Sequence, residues 1–471
     1  MKIVVFGTGN YYQRYKDAML LKHNIVAFLD NNAVGGKTID NIKVLKPDNI
    51  MYLEYDKIIL CSIYWKEMKE QLIGYGVDEE KIQSIEEFRK NLSDKIVYKS
   101  QIKREDVKKR KYNIMVVSTH FDHNGGSLAA LYAVKNLLSL GYYVEFAIPS
   151  GEQSLINEVV NAGGDVSVRP YLPYVHDGML AELEKFDVVI VNVFQMIQTA
   201  VEIGKVKPVL WWLHESGPKF SSIYPETIQK YSNYTGKDMK RLNVVGVSGR
   251  ANEAFNLYYQ GIAHRVMPFG IDDMRGLVQQ NKMDHKKIHF AVIGGICPVK
   301  SQKTFVEAVK LLNEEDRRRA QFSIIGTKNF GSYAGEIEKI NPNQEFVNVI
   351  NGLPHDEMLQ YYSNLDVVVC CSMEETMCMT IIEGMMLEMA TIMTSTTGIS
   401  EYVENRENGI IIEPNNSNQL AREMHRLIGD TKLRIHVAHG GRKLFEKNFA
   451  YNSFQNRLVE EIEYTLKNYS R

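Results

Sequence analysis

Cysteine is scarce: the 471 residues contain five, Cys61, Cys297, Cys370, Cys371 and Cys378. An odd number, spread through strand-like apolar runs without paired metal-ligand spacing, excludes a disulfide framework and points to a reducing compartment. An excess of charge of either sign is missing too. Lys and Arg number 56 against 57 Asp and Glu, a formal net charge of −1, so no basic field points to nucleic acid as a partner. No run of about 18 apolar residues occurs, which argues against a spanning helix. The opening Met-Lys-Ile-Val-Val-Phe-Gly goes straight into a buried strand and a glycine turn, without the apolar stretch or cleavage site of a signal peptide. A cytoplasmic location is the expectation. Short internal repeats and low-complexity tracts are also missing.

What is present is an ordinary globular composition, 44% hydrophobic and 24% charged. The length exceeds what one hydrophobic core accommodates, so several domains are expected. The first block, residues 1–90, reads as strand Ile3 to Phe6, turn Gly7-Thr8-Gly9, helix Tyr12 to Leu21 and strand Ile25 to Leu29 ending at Asp30. That is the opening of a doubly wound sheet, with an acid about 20 residues past the glycines. Tyr12 stands where the third glycine of a dinucleotide fingerprint belongs, so a Rossmann-like domain without a dinucleotide is an equal reading. Residues 91–111 form a charged linker with a mostly basic run from Lys103 to Lys111. It is read as a solvated connector, with attraction to anionic lipid headgroups as the alternative.

Two further blocks alternate strand and helix, at 112–272 and 273–450. The alternation predicts parallel sheets covered on both faces, with ligand at the carboxyl ends of the strands. The segment with most chemistry is Cys371-Ser372-Met373-Glu374-Glu375-Thr376-Met377-Cys378-Met379-Thr380-Ile381-Ile382-Glu383-Gly384. A strand is expected to end at Ser372 and a helix to begin near Met379. Glu375 then sits in the loop and Glu383 about one turn inside the helix. Free amides at a helix N-terminus attract a diphosphate, and carboxylates beside it suit sugar hydroxyls.

Glu375 and Glu383, separated by seven residues, resemble the E-x7-E motif of retaining GT-B glycosyltransferases, most closely glycosyltransferase family four. The resemblance implies two Rossmann-like lobes in GT-B arrangement, here with an additional N-terminal Rossmann-like domain similar to those attached to bacterial sugar-modifying enzymes. It implies that Glu375 contacts hydroxyls of the donor sugar and Glu383 the nucleotide ribose. Thr376, Met377, Cys378 and Met379, between them, become donor-binding residues. Asn124-Gly125-Gly126-Ser127 resembles the family's glycine loop, placing Gly125 and Gly126 against the donor phosphates, although a plain turn also explains the pair. His214, in Trp211-Trp212-Leu213-His214-Glu215, looks like the histidine that faces the donor sugar, and is assigned with Glu375 to catalysis. Gly294-Gly295-Ile296-Cys297-Pro298-Val299-Lys300-Ser301 resembles the phosphate-grip segment, with Lys300 in the lysine place. Gly295, Ser301 and Cys378 depart from the family pattern. Pro268-Phe269-Gly270-Ile271-Asp272 is read as hinge and cleft wall. In Thr397-Gly398-Ile399-Ser400-Glu401, Gly398 is expected near the nucleotide and Glu401 as a helix-start or structural acid. Asn408-Gly409 is read as a hairpin turn.

The function these motifs imply is metal-independent sugar transfer from a nucleotide-sugar to a saccharide or lipid-linked saccharide, with retention, no cofactor, and peripheral membrane contact as an option. The departures keep open a second class, a catalytically inactive GT-B partner of an active enzyme. The amphipathic residues 451–471 are expected to form a helix packing back on the first lobe.

Overall fold

The computed structural model describes residues 1–102, 111–278, 287–327, 331–353 and 355–469. Lys103 to Arg110, nearly all of the basic run, lie outside the described residues. The chain forms two compact units, Met1–Val209 and Leu210–Arg471.

The first unit begins with strand β1 (Lys2–Phe6), helix α1 (Asn10–Lys22), and strands β2 (Asn24–Leu29), β3 (Thr38–Ile39), β4 (Ile42–Leu45), β5 (Lys57–Leu60) and β6 (Ile82–Ser84). They form a six-stranded sheet in the order β3-β4-β2-β1-β5-β6. The central strands are apolar on both faces because both faces are covered, as parallel strands require. Gly7 turns the chain after β1 at φ +102°, and a Cβ there would lie 2.7 Å from the Cys61 carbonyl oxygen, so glycine is demanded twice over. Tyr12 is a core residue, edge-on to Phe28 with its hydroxyl donating to Asp40 at 2.8 Å. Asp30 holds its own loop, accepting from the Thr8 hydroxyl and the Asn32 amide, each at 2.9 Å.

The same unit continues with β7 (Ile96–Tyr98), β8 (Asn113–Val117), α2 (Gly125–Ser139), β9 (Tyr143–Ile148), β10 (Asp165–Val168) and β11 (Val188–Asn192). These strands run in the order β11-β8-β9-β10-β7, with β7 antiparallel to β10 and the others parallel. The N-terminal domain is fastened here by Arg89, a buried guanidinium over the Tyr15 ring. Its Nε donates to the Pro170 carbonyl at 2.8 Å and its Nη2 to that of Leu172. The same unit holds an ion cluster centred on the fully buried Arg169, which donates to Glu145 at 2.8 Å, Glu182 at 2.7 Å and Tyr171 at 2.9 Å.

In the second unit β12 (Val209–Leu213), α3 (Gly217–Ser222), β13 (Leu242–Gly246), α4 (Gly249–Asn256) and β14 (Arg265–Val266) come first, the strands ordered β14-β13-β12. A second sheet contains β15 (Ile288–Ile293), β16 (Ala320–Ile325), β17 (Asn348–Ile350), β18 (Val367–Cys370), β19 (Ala390–Thr394) and β20 (Ile410–Ile412). It is parallel throughout, in the order β17-β16-β15-β18-β19-β20. Helix α5 (Gln302–Leu311) follows β15, and helix α6 (Met379–Met386) follows β18. The last helix, α7 (Tyr451–Tyr469), buries Phe454, Leu458 and Ile462. Phe454 stacks on Trp212, and Glu461 accepts from Asn243 at 3.0 Å and from Arg265 at 2.7 Å.

The hairpin expected at Asn408-Gly409 does not form. β20 pairs in parallel with β19, so no neighbouring antiparallel strand exists to be joined. The turn is made by Arg406 at φ +69°, whose amide donates to the Gly409 carbonyl at 2.7 Å.

Candidate functional site

The site is built on β18, a fully buried Val-Val-Val-Cys strand inside its sheet, and on the loop leading from it to α6. Glu375 is fixed in that loop by its backbone. Its amide donates to the Thr396 carbonyl at 3.3 Å, and its carbonyl accepts from the Gly398 amide at 2.8 Å. The side chain, freed from any structural duty in the loop, reaches Lys300 and forms an ion pair. Lys300 ends a short 3-10 turn, Pro298–Lys300, and the following Ser301 is left-handed at φ +49°, which redirects the chain into α5. Burial works against the charge on Lys300, but the Glu375 carboxylate outweighs it and holds the ammonium above its ordinary pKa. The ammonium is therefore charged, and both side chains of the pair are half-buried: 32% of the lysine side chain and 20% of the glutamate side chain are exposed.

Cys378 occupies the N-cap position of α6 in extended conformation without a side-chain cap bond. Its sulfur instead meets the Thr380 hydroxyl at 3.3 Å. No acidic residue stands in the first turn, so the positive end of the helix lacks a carboxylate of its own. Thr376, Met377 and Cys378 are buried, and Met379 is half-buried as the first helical residue. One turn on, Glu383 accepts from the Tyr362 hydroxyl at 2.5 Å. Burial pushes its carboxyl up to about 7, against the opposing pull of that hydrogen bond.

His214 ends β12 with its ring edge-on to Trp212, centroids 4.4 Å apart. Its Nε2 is buried with no hydrogen-bond partner, and burial, aided by Lys219, pulls the imidazole down to about 3. At neutral pH the ring is uncharged, so it can orient or accept a hydrogen bond but does not carry a proton to spare. The His214 carbonyl accepts from the Thr376 hydroxyl at 2.9 Å. Thr376 thereby links His214 to the Glu375 loop. Gly398 closes the group: a Cβ there would fall 1.8 Å from the Thr376 carbonyl oxygen and 2.6 Å from the Ser248 side chain. Its glycine identity is explained by this packing.

Lys300, Glu375, Thr376, Met377, Cys378, Met379, Glu383, His214 and Gly398 all belong to the second unit. Gly125 and Gly126 belong to the first, at the start of α2. Asn124 caps that helix by accepting from the Ser127 amide at 3.0 Å. A Cβ on Gly126 would lie 3.1 Å from Val193, whereas one on Gly125 would meet nothing. Asn192 holds this loop, donating to the Gly126 carbonyl and the Ser118 hydroxyl, each at 3.0 Å.

Three residues around the site have partners that the sequence did not reveal. Glu374 accepts from the Gly217 amide at 2.6 Å, capping α3. Glu401, read as a helix-start or structural acid, serves the start of a distant helix: its two oxygens accept from the Gly249 and Arg250 amides of α4 at 3.0 and 3.1 Å. Tyr362 is the third. The first two lie 157 and 152 residues from their partners, a separation no local pattern encodes.

Residues 274–444 match the family model of group 1 glycosyl transferases, and residues 1–83 that of C2185-like N-terminal domains. The capsular polysaccharide biosynthesis glycosyltransferase CapM of Staphylococcus aureus is 31% identical over 124 residues, 26% of this chain and 30% of the relative. An uncharacterised glycosyltransferase of Methanocaldococcus jannaschii is 26% identical over 34% of this chain and 43% of its own. The chain thus spans less than half the length of the curated relatives it matches. Among solved structures, Anabaena HepE in complex with UDP and glucose superposes with a TM-score of 0.61 at 16% identity, covering 75% of this chain and 99% of that one. A glycosyltransferase from Rickettsia africae gives 0.62 at 15% identity, covering 76% and 100%. The fold is that of GT-B glycosyltransferases with an additional N-terminal α/β domain, as the sequence implied. Among the described residues, no helix is long and apolar enough to cross a membrane.

Proposed function

We propose that the protein is a retaining, metal-independent glycosyltransferase of the family-four type. It moves a sugar from a nucleotide-sugar to a saccharide or lipid-linked saccharide in cell-surface polysaccharide or glycoconjugate synthesis, at the cytoplasmic side of the membrane. The observation that carries the reading is the Lys300–Glu375 pair beside the acid-free start of α6, with Glu383 one turn below. Cation, helix amides and carboxylates are the groups a sugar diphosphate needs, and all are positioned by backbone before any ligand arrives. Lys300, aimed by one oxygen of Glu375, would face the diphosphate, and the carboxylate's other oxygen would serve the sugar hydroxyls. Neutral His214 would orient the sugar. The acceptor hydroxyl would attack from the face the nucleotide leaves, its proton passing to the departing phosphate, so that no residue of the chain bonds to the sugar. The UDP bound by HepE and the capsular role of CapM support the donor class and the setting.

The test is nucleoside diphosphate release from a panel of UDP-, GDP- and dTDP-sugars with EDTA present. Release from one donor class is expected, with unchanged anomeric configuration in the product. Inverted product would end the retaining reading. Donor binding with no turnover on any acceptor would favour the inactive-partner class, which the departures at Gly295 and Cys378 support.

Glu383 supplies a pH prediction. Its folded-state value of about 7 lies above the ordinary 4.5. The folded protein therefore holds a proton that the unfolded chain releases, and stability from this group, complete below pH 4.5, is lost as pH rises through about 7. Ribose hydroxyls donate to the ionised form, so affinity for the nucleotide moves the other way. Between pH 6 and 8 it should rise about tenfold, the change in the ionised fraction of such a carboxyl. Titration calorimetry across that range checks it, and in Glu383→Gln the slope should vanish.

A further inference from the structure

A cavity of about 400 Å³ opens in the first unit, between the N-terminal domain and the strands that follow it. One wall is a single face of α1, where Asn10, Gln13, Arg14 and Asp17 recur at helical spacing. The opposite wall comes from the loops after β8 and β9, at the carboxyl ends where sheets of this type take ligands. None of these residues has a part in the site around Glu375.

The walls are held in place by bonds that do not need a ligand. His120 Nδ1 and the buried Ser150 hydroxyl are 2.8 Å apart, and the Phe121 amide donates to the Ser150 carbonyl at 2.9 Å. Asp122 accepts from the Asn124 amide at 3.0 Å, and Glu152 lies 3.1 Å from His123. Across the cavity, the Arg89 bond to the Pro170 carbonyl fixes α1's domain to a residue that itself lines the space. Burial pulls His120 below its ordinary pKa and the charge of Arg14 pushes the same way, so Arg14 and His120 sense each other across it.

The charge balance selects the ligand class. Asp17, Asp122 and Glu152 stand against one guanidinium and a neutral imidazole. A phosphate would face net negative walls. A neutral, hydroxyl-rich molecule would find acceptors in the three carboxylates and donors in Arg14, Gln13 and Ser150, with the Tyr98 ring for an apolar sugar face.

We propose that this cavity binds a neutral saccharide, so that the N-terminal domain supplies one wall of a subsite for the acceptor glycan. Only the word acceptor rests on the transferase reading; saccharide binding stands on the cavity alone. The experiment is saturation-transfer NMR on the full chain with lactose, cellobiose, maltose and N,N′-diacetylchitobiose, comparing wild type with Arg14→Ala and the cavity-filling Gln13→Trp. Both positions are exposed on α1, and circular dichroism checks that the variants fold. Transfer to at least one saccharide, reduced about fivefold or more in both variants, is the expected result. No transfer to any of the four, or transfer indifferent to both variants, overturns the proposal, as does displacement of the sugar by inorganic phosphate. Nucleotide-sugar consumption is followed on the same samples. No saccharide binding by the wild type with consumption intact sinks the subsite alone, whereas wild-type binding without consumption of any donor counts against the transferase and leaves the cavity standing.

Discussion

Glu375→Gln is expected to lower nucleoside diphosphate release by about two to three orders of magnitude, the range seen when one preorganised polar group is removed from the reacting centre. The effect should fall on kcat with little loss of fold. The backbone of Glu375 is fastened at both ends, to Thr396 and Gly398, through atoms the substitution does not touch. What changes is the partner of Lys300. With glutamine there, the ammonium loses the carboxylate that holds it ionised and aimed. Lys300→Met should cost as much in turnover and also weaken nucleotide binding, because the cation is lost as well as its aim. The double variant should be little worse than either alone, since the two side chains act as one unit. Steady-state kinetics on the four proteins checks this. Additive losses would show that the two residues act separately.

Arg169→Met is expected to destabilise the first unit, by up to about 3–5 kcal/mol, because buried Glu145 then keeps only the part-exposed Lys185 as its partner. Arg169 is fully buried and Glu145 nearly so, with 2% exposure. Burial opposes the ionisation of Glu145, but hydrogen bonds from Lys185 and Arg169 outweigh it and hold the carboxyl down at about 2. The ordinary value is 4.5, so the stability this group contributes is complete above that pH and is lost as pH falls through about 2. In Arg169→Met the carboxyl should rise, and acid unfolding should begin at higher pH. Urea denaturation at neutral pH and an acid titration followed by circular dichroism read the two effects. An unchanged urea midpoint would contradict the account.

The strand, loop and helix from Val367 to Met386 were legible because each element carries its own local signal. β18 is a run of buried β-branched residues, and α6 starts at Met379 as expected. Glu375 and Glu383 consequently stand where the spacing put them, in the loop and one turn inside the helix. α1 runs from Asn10 to Lys22 rather than Tyr12 to Leu21, a fraying of ends that periodicity does not resolve. Other features depend on contacts far apart in sequence. Gly398 was expected near a nucleotide, yet its missing side chain is already accounted for by Thr376 and Ser248. Asn408-Gly409 has the composition of a hairpin, but its strand runs parallel to its neighbour, and topology overrode the turn signal. The pull of burial on His214 and Glu383 in opposite senses, one toward neutrality by deprotonation and the other by protonation, follows from tertiary packing and leaves no mark in the residue order.

The measurement that tests the central claim most directly is a titration of the full chain with UDP, GDP and dTDP, in EDTA, by calorimetry. It needs neither the right sugar nor the right acceptor. The account predicts that one nucleotide binds without metal and that Lys300→Met weakens it at least tenfold. No binding of any of the three, or binding indifferent to Lys300, would contradict the donor site built around Lys300, Glu375 and the start of α6.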